Sequence, residues 1–194
     1  MNELSSGPDK KRRGRTALVF LFGLFFAPIV VSWVLLFAPE KFRPSGTTNR
    51  GNLIDPPRWI SSHGVRDEDN NALGDGQFQD IWTMLLVQSS PCGDACKRAL
   101  YNMRQSWTSL NKDQPRVQRV FVASEPHSST VLDHVRQQHP RLQLGFANEA
   151  WLGLLGNEAL LRQGIIVIVD PKGLALMYYH PDDDARGIIK DMKR

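Results

Sequence analysis

The sequence predicts an α/β domain preceded by a single membrane-spanning helix. Residues 16–38 form an uncharged run rich in Leu, Phe and Val. Residues 81–87 and 165–169 are short, mostly apolar runs, which are typical of strands buried on both faces of a sheet. Segments with helical periodicity separate these strands, so helices are expected to cover the sheet.

Positive charge is concentrated in the N-terminal tail. The chain carries a formal charge of +4, and residues 1–15 hold five basic side chains against two acidic ones. The rest of the chain is therefore close to neutral. Because it also has no RNA- or DNA-binding motif, nucleic acid is not expected as a partner.

Residues 16–38 are predicted to be an uncleaved transmembrane anchor. At 1.5 Å per residue the run spans roughly 34 Å, enough to cross the hydrocarbon core of a bilayer. It exceeds the apolar stretch of a signal peptide, and Pro39 is a poor neighbour for cleavage. Basic residues cluster before the run, so the tail 1–15 should stay in the cytoplasm. We expect a protein of the bacterial inner membrane whose remaining residues are periplasmic.

Residues 39–51 are predicted to be a linker, and 52–194 a folded domain. A first short strand is expected within 52–61, followed by an exposed, turn-rich loop over 62–78. Beyond the strand at 81–87 and its helix, the apolar pattern predicts a strand over 116–124. A helix capped by Ser128 or Ser129 should then extend to His139.

The C-terminal third completes the sheet. A brief extended piece is expected over 142–146, and a single helix from Asn148 to about Leu161. The strand at 165–169 is followed by the turn Asp170-Pro-Lys-Gly and by its hairpin partner, residues 174–179. Acidic residues 182–184 should begin a C-terminal helix.

Both cysteines of the chain, Cys92 and Cys96, lie where the strand at 81–87 gives way to a helical pattern. Pro91 suits the first position of that helix, with Ser90 as its N-cap. Both cysteines extend the apolar stripe of the helix. Cys96 is therefore expected near the core, and Cys92 at the exposed tip.

This placement suits three chemical states. A helix N-terminus favours thiolate over thiol. Residues four apart in a helix have Cα atoms roughly 6 Å apart, within the span of a disulfide. Cys92 and Cys96 can thus form a dithiol, a disulfide, or two soft ligands for one metal ion. The alternative is that both cysteines are ordinary small residues of the core and take part in no reaction.

The predicted order of elements is βαβ–α–ββα, with the cysteine pair at the first helix N-terminus and a closing hairpin. This is the thioredoxin-like layout. The predicted fold class is therefore α/β, a thioredoxin-like domain preceded by a single N-terminal transmembrane helix.

The anchor, the sequence from Pro91 to Cys96 and the hairpin turn from Asp170 to Gly173 together resemble the Sco/SenC family. The resemblance covers roughly residues 50–194. Sco/SenC proteins are membrane-tethered and help to mature the copper centre of haem-copper cytochrome oxidases. The resemblance implies that this chain is a divergent metallochaperone that binds Cu(I) through Cys92 and Cys96. A haem-copper oxidase subunit or a copper chaperone would be its partner.

The third copper ligand of that family is not matched. It is a histidine from a loop shortly before the hairpin, and residues 160–164 of this chain contain no imidazole. His127 follows the strand at 116–124, and His180 ends the last hairpin strand. Each is a candidate substitute ligand, and an ordinary solvated loop histidine is the alternative for both.

Three functions therefore remain open. Copper delivery during oxidase assembly is favoured. In the second, a thiol–disulfide oxidoreductase, Cys92 attacks a partner disulfide and Cys96 resolves the mixed disulfide. Enzymatic activity is expected only in that case. The third is a binding module with a static disulfide.

Overall fold

The structure is a computed structural model that describes residues 9–37, 48–74, 76–124 and 129–193. The chain divides after Thr47 into two compact units. The first contains helix α1 (Asp9–Phe37), in which Gly14–Phe37 is apolar and long enough to cross a membrane. It is the one such helix in the described part of the chain. The predicted apolar N-terminal helix is thus confirmed.

The second unit is built on one seven-stranded mixed sheet with the order β1–β7–β6–β3–β4–β5–β2. The strands are β1 (Asn52–Trp59), β2 (Val65–Arg66), β3 (Trp82–Gln88), β4 (Val117–Ala123), β5 (Leu142–Ala147), β6 (Ile165–Val169) and β7 (Leu174–Tyr179). The central strand β3 pairs in parallel with β4 and antiparallel with β6. This arrangement confirms the predicted α/β thioredoxin-like class.

Helices cover both faces of the sheet. They are α2 (Asp94–Thr108), α3 (Ser129–Gln138), α4 (Glu149–Leu152), α5 (Glu158–Gln163) and α6 (Ala185–Met192), with a 3-10 helix at Asn111–Arg116. Successive side chains of β3 alternate between two cores, because strand side chains point to opposite faces. Leu85 packs in the core that contains α4 and α5 residues, and Leu86 in the core that contains α2 residues. The cysteine helix therefore shares its face of the sheet with α3 and α6, which contribute Val135 and Ile188 to the same core.

The single helix predicted from Asn148 to about Leu161 is wrong. Two short helices occupy this stretch, each with its own N-cap. The Asn148 side chain accepts a hydrogen bond from Trp151 N, and that of Asn157 accepts one from Leu160 N. Gly153 ends α4, and glycine costs about 1 kcal/mol more than alanine inside a helix. Asn157 follows Gly153 and Gly156 and caps a new helix, so the chain forms two helices although its apolar periodicity is continuous.

Helix α6 is fastened to the sheet through one carboxylate. Asp191 Oδ2 accepts a hydrogen bond from Tyr179 Oη at 2.6 Å, and also from the backbone nitrogens of Arg50 and Gly51. Tyr179 is 1% exposed. Burial raises the pKa of the Tyr179 phenol far above its ordinary value, and the neighbouring Asp191 carboxylate raises it further.

Tyr179→Phe is expected to lower the free energy of unfolding by about 1–3 kcal/mol, because a buried carboxylate loses a donor. The pH dependence has a definite sign. Since folding raises the phenol pKa, its stabilising effect is complete below the unfolded pKa of about 10 and is lost as pH rises above it. Alkaline pH should therefore destabilise the wild type more than Tyr179→Phe. Urea unfolding in detergent at neutral and alkaline pH measures this.

Tyr178→Phe is the matched control. The Tyr178 hydroxyl makes no hydrogen bond to the described residues, so its removal should change stability by less than about 0.5 kcal/mol. Equal losses in the two variants would contradict the role of the Tyr179–Asp191 bond.

Candidate functional site

The cysteine helix begins later than the sequence predicts. Its first residue is Asp94, and its N-cap is Gly93, with no side-chain capping hydrogen bond. The predicted Ser90 cap and Pro91 start are therefore wrong. The Ser90 hydroxyl instead donates to the carbonyl of Arg162 at 2.9 Å. Ser90 is thus tied to α5, and Cys92 lies in the turn before α2 rather than inside it.

The two cysteines form a disulfide. Their sulfurs are 2.00 Å apart and their Cα atoms 5.2 Å apart. Cys96 is 0% exposed and belongs to the apolar core on the α2 side of the sheet, whereas Cys92 is half-buried. This is the asymmetry that the apolar stripe predicts. One sulfur belongs to the core and the other borders solvent.

The segment that joins α5 to β6 passes close to the backbone of Cys96. Gly164 has φ +79°, a conformation that side-chain-bearing residues rarely adopt. A Cβ at this position would lie 3.7 Å from Cys96 Cα and 2.7 Å from Gln88 Oε1. Only glycine therefore allows this close approach. The nearby Arg162 side chain is paired with Glu158, and residues 160–164 contain no histidine that could face the sulfurs.

Gln88 is a site residue that the sequence analysis missed. It ends β3, is 2% exposed, and donates through Nε2 to Ser90 Oγ at 3.0 Å and to the Pro91 carbonyl at 3.2 Å. These bonds hold the turn that leads to Cys92. The sequence feature that could have identified Gln88 is its position, because it is a single amide side chain at the end of an apolar strand, immediately before the cysteine turn.

Of the two candidate histidines, His180 lies among the described residues and His127 does not. His127 lies in 125–128, outside the described residues, so its role stays a prediction. His180 is half-buried, and its ring stands edge-on to Tyr178 at 5.5 Å. No group of three or more His, Cys, Asp or Glu side chains with metal-binding spacing occurs in the part of the chain that the structure describes. A His180 ligand likewise stays a prediction.

A groove of about 450 Å³ adjoins the turn before Cys92. Pro91, Leu152 and Leu161 contribute apolar surface, while Glu149, Glu158 and Arg162 contribute charge. Apolar surface combined with a few charged groups is typical of a ligand or partner site. The groove therefore provides space for a partner close to the reachable sulfur.

The donor set of the reduced pair fits Cu(I). Two thiolates are soft ligands of the kind that Cu(I) prefers over harder oxygen ligands. Because Cys96 is sealed in the core, an ion held by both sulfurs would have to approach from the Cys92 side. In the disulfide state neither sulfur is a thiolate, so metal binding requires prior reduction.

Residues 82–194 match the family model described as the transmembrane-like, thioredoxin-like, C-terminal domain. The chain belongs to this family. Membership agrees with helix α1, and together they indicate a membrane-anchored thioredoxin-like protein.

Solved structures similar to this transmembrane-like, thioredoxin-like protein include three Sco proteins. Yeast Sco1 is 14% identical with a TM-score of 0.53, and the match covers 76% of this chain and 94% of that one. Copper-bound ScoI from Arabidopsis thaliana is 13% identical with a TM-score of 0.52, over 70% and 94% of the two chains. BsSco, described as a cytochrome c oxidase assembly protein with a disulfide switch, is 13% identical with a TM-score of 0.51, over 76% and 95%.

At 13–14% identity, these structural matches show the fold alone. The resemblance to Sco/SenC proteins is thereby confirmed as a Sco-like thioredoxin fold. No curated protein matches the chain.

Proposed function

We propose that this protein is a membrane-anchored assembly factor for a haem-copper oxidase and that it works through Cys92 and Cys96. The observation that carries the proposal is the disulfide between a sealed and a reachable sulfur at the start of α2. The similar Sco structures support it, because copper-bound proteins and a cytochrome c oxidase assembly protein are among them.

Copper is the cargo in this proposal. Reduction by an external dithiol breaks the Cys92–Cys96 bond and leaves two thiols, while the dithiol becomes a disulfide. The two cysteines release their protons when they bind Cu(I). Exchange of thiolate ligands then passes the ion to the client. A third donor comes from His127, from His180 or from the client itself.

The anchor places this chemistry beside a membrane-bound client. We propose that the basic tail lies in the cytoplasm and the domain, residues 52–194, in the periplasm of a bacterial inner membrane. Tethering raises the effective concentration of the cysteine pair near an oxidase in the same membrane. A modest affinity for the client is then sufficient.

A second candidate function is thiol–disulfide exchange with a membrane-protein client. The absence of a three-ligand group among the described residues and the groove beside Cys92 favour it. Here the Cys92 thiolate attacks a client disulfide, and Cys96 then displaces the client thiol. The client gains two electrons and two protons, and the Cys92–Cys96 disulfide forms again.

Titration of the reduced full-length protein in detergent with Cu(I) tests the first function. We expect one equivalent of tightly bound Cu(I), which is lost in Cys92→Ser because a single thiolate remains. His127→Ala and His180→Ala each test a third ligand, and the true ligand is expected to lower the affinity by at least about tenfold.

The reduction potential of the Cys92–Cys96 pair separates the alternatives. Weak copper binding with a potential between about −120 and −270 mV would favour thiol–disulfide exchange. No copper binding and a potential below about −300 mV would overturn both functions and leave a binding module with a structural disulfide.

A further inference from the structure

The side chain of Gln88 has one unsatisfied atom at the cysteine site. Oε1 is buried and has no hydrogen-bond partner among the described residues, although Gln88 is only 2% exposed. Buried polar side-chain atoms usually have a partner, so this exception calls for a physical reason. Gln88 also plays no part in the copper or exchange steps above.

The orientation of the amide is determined by its neighbours. Nε2 donates to the carbonyl of Pro91 and to Ser90 Oγ. A carbonyl oxygen can only accept a hydrogen bond, so the amide nitrogen must face Pro91 and cannot exchange places with the oxygen. Oε1 therefore points away from the turn.

Oε1 lies beside the cysteine helix. It is 2.7 Å from the point where a Cβ on Gly164 would be, and Cys96 Cα is 3.7 Å from the same point. The surroundings of Cys96 are otherwise apolar, with Leu100 and Met103 in the same core. Gln88 thus brings a hydrogen-bond acceptor to the point where Gly164 approaches Cys96, and both Gln88 and Cys96 have little access to water.

We propose that Gln88 is a positioning residue for the redox step, and that its Oε1 accepts a hydrogen bond from the Cys96 thiol once the disulfide is reduced. Reduction by a dithiol transfers two electrons and two protons, breaks the Cys92–Cys96 bond and gives each sulfur one hydrogen. The Cys96 hydrogen then satisfies Oε1. This inference rests on the proposed function only in that the pair is reduced during use.

The consequence is a bias in the redox equilibrium. In the disulfide state Cys96 has no hydrogen to donate, so Oε1 stays buried and unpaired. In the dithiol state it gains a partner. An atom that is unsatisfied in one state and satisfied in the other shifts the equilibrium toward the second. Gln88 therefore favours the dithiol, which is the state able to bind Cu(I) or to reduce a client.

Gln88→Met tests the bias, because methionine keeps the length of the side chain and removes the acceptor. Full-length protein in detergent is equilibrated with reduced and oxidised glutathione. We expect a shift of about fivefold toward the disulfide, the equivalent of one ordinary hydrogen bond. This corresponds to a potential about 20 mV more negative, since tenfold is 29.6 mV for a two-electron couple.

Ser90→Ala is the matched control. It removes one acceptor from Nε2 and the hydrogen bond from Ser90 to the Arg162 carbonyl, but leaves Oε1 and the Pro91 bond in place, so we expect a shift below about twofold. An equal shift in Ser90→Ala and Gln88→Met would mean that Gln88 acts only by holding the turn, which overturns the proposal.

The infrared S–H stretching band gives a readout that a purely structural role does not change. In Cys92→Ala the remaining thiol is Cys96, and a hydrogen bond to Oε1 lowers its S–H frequency. Adding Gln88→Met should raise that frequency. An unchanged band would show that the Cys96 thiol does not donate to Oε1 and would overturn the proposal. Gln88→Leu serves as a second variant if the methionine protein does not fold.

These measurements need neither copper nor a client. A shifted S–H band combined with absent copper binding would remove the assembly function and leave the role of Gln88 intact. Copper binding with an unchanged S–H band would support the assembly function and remove the role of Gln88.

Discussion

Gly164→Ala is expected to lower the free energy of unfolding by about 2–4 kcal/mol. Two effects combine. Alanine is strained at φ +79°, which costs of the order of 1–3 kcal/mol. Its Cβ would also lie 2.7 Å from Gln88 Oε1, so the amide must move and weaken its hydrogen bonds to Ser90 and Pro91. Each weakened bond costs about 1 kcal/mol. Denaturant unfolding of the full chain in detergent measures the loss.

Gly156→Ala is the control for this substitution. Its added Cβ would meet Ile165 and Leu160 at 3.7 Å, an ordinary contact distance, and Gly156 has no positive φ. The change in stability should stay below about 1 kcal/mol. If Gly164→Ala were no more harmful than Gly156→Ala, the close approach of the α5–β6 segment to the cysteine helix would be disproved.

Elements with strong local signals were predicted well from the sequence. Strand β6 is a run of five aliphatic residues, and it is buried along its whole length. Its hairpin with β7 depends on a local turn, in which Asp170 Oδ1 accepts hydrogen bonds from the nitrogens of Lys172 and Leu174. Nothing distant is needed for either feature, so a single sequence window is sufficient.

Elements fixed by distant partners were not predicted. Strand β2 lies within the stretch read as a loop, and it exists because Val65 and Arg66 pair with β5. The start of α2 depends in the same way on the Ser90 hydroxyl, which bonds to Arg162 rather than to the helix. A residue that suits an N-cap locally takes another role when the fold brings a carbonyl within reach.

The candidate site also combines features with local sequence signals and features that depend on distant residues. The cysteine pair, its spacing and its unequal burial follow from local periodicity. The importance of Gln88 does not, because its oxygen matters only where Gly164 brings a distant segment against Cys96. The sequence also left dithiol, disulfide and metal states open, and the structure contains the disulfide.

Cys96→Ser is expected to accumulate a mixed disulfide with glutathione, whereas Cys92→Ser is not. In reduced Cys96→Ser, the half-buried Cys92 attacks oxidised glutathione and releases one glutathione thiol. The adduct persists because no second cysteine can displace the bound glutathione. In Cys92→Ser the remaining thiol is 0% exposed and reacts only when the fold opens locally. We expect adduct formation there to be at least about tenfold slower, since buried structural thiols are unreactive.

Mass spectrometry of the intact protein over time measures both rates, and the two variants control for each other. Each loses the same disulfide between residues four apart, which contributes about 2 kcal/mol by loop entropy. Cys96→Ser also places a hydroxyl in the apolar core, so the free energy of unfolding of both variants is measured beside the rates to separate access to sulfur from a difference in stability. Wild type should form the Cys92–Cys96 disulfide with little adduct, because Cys96 displaces the bound glutathione. Equal rates in the two variants would show that Cys96 is not sealed, and the assignment of Cys92 as the attacking thiol would then fail.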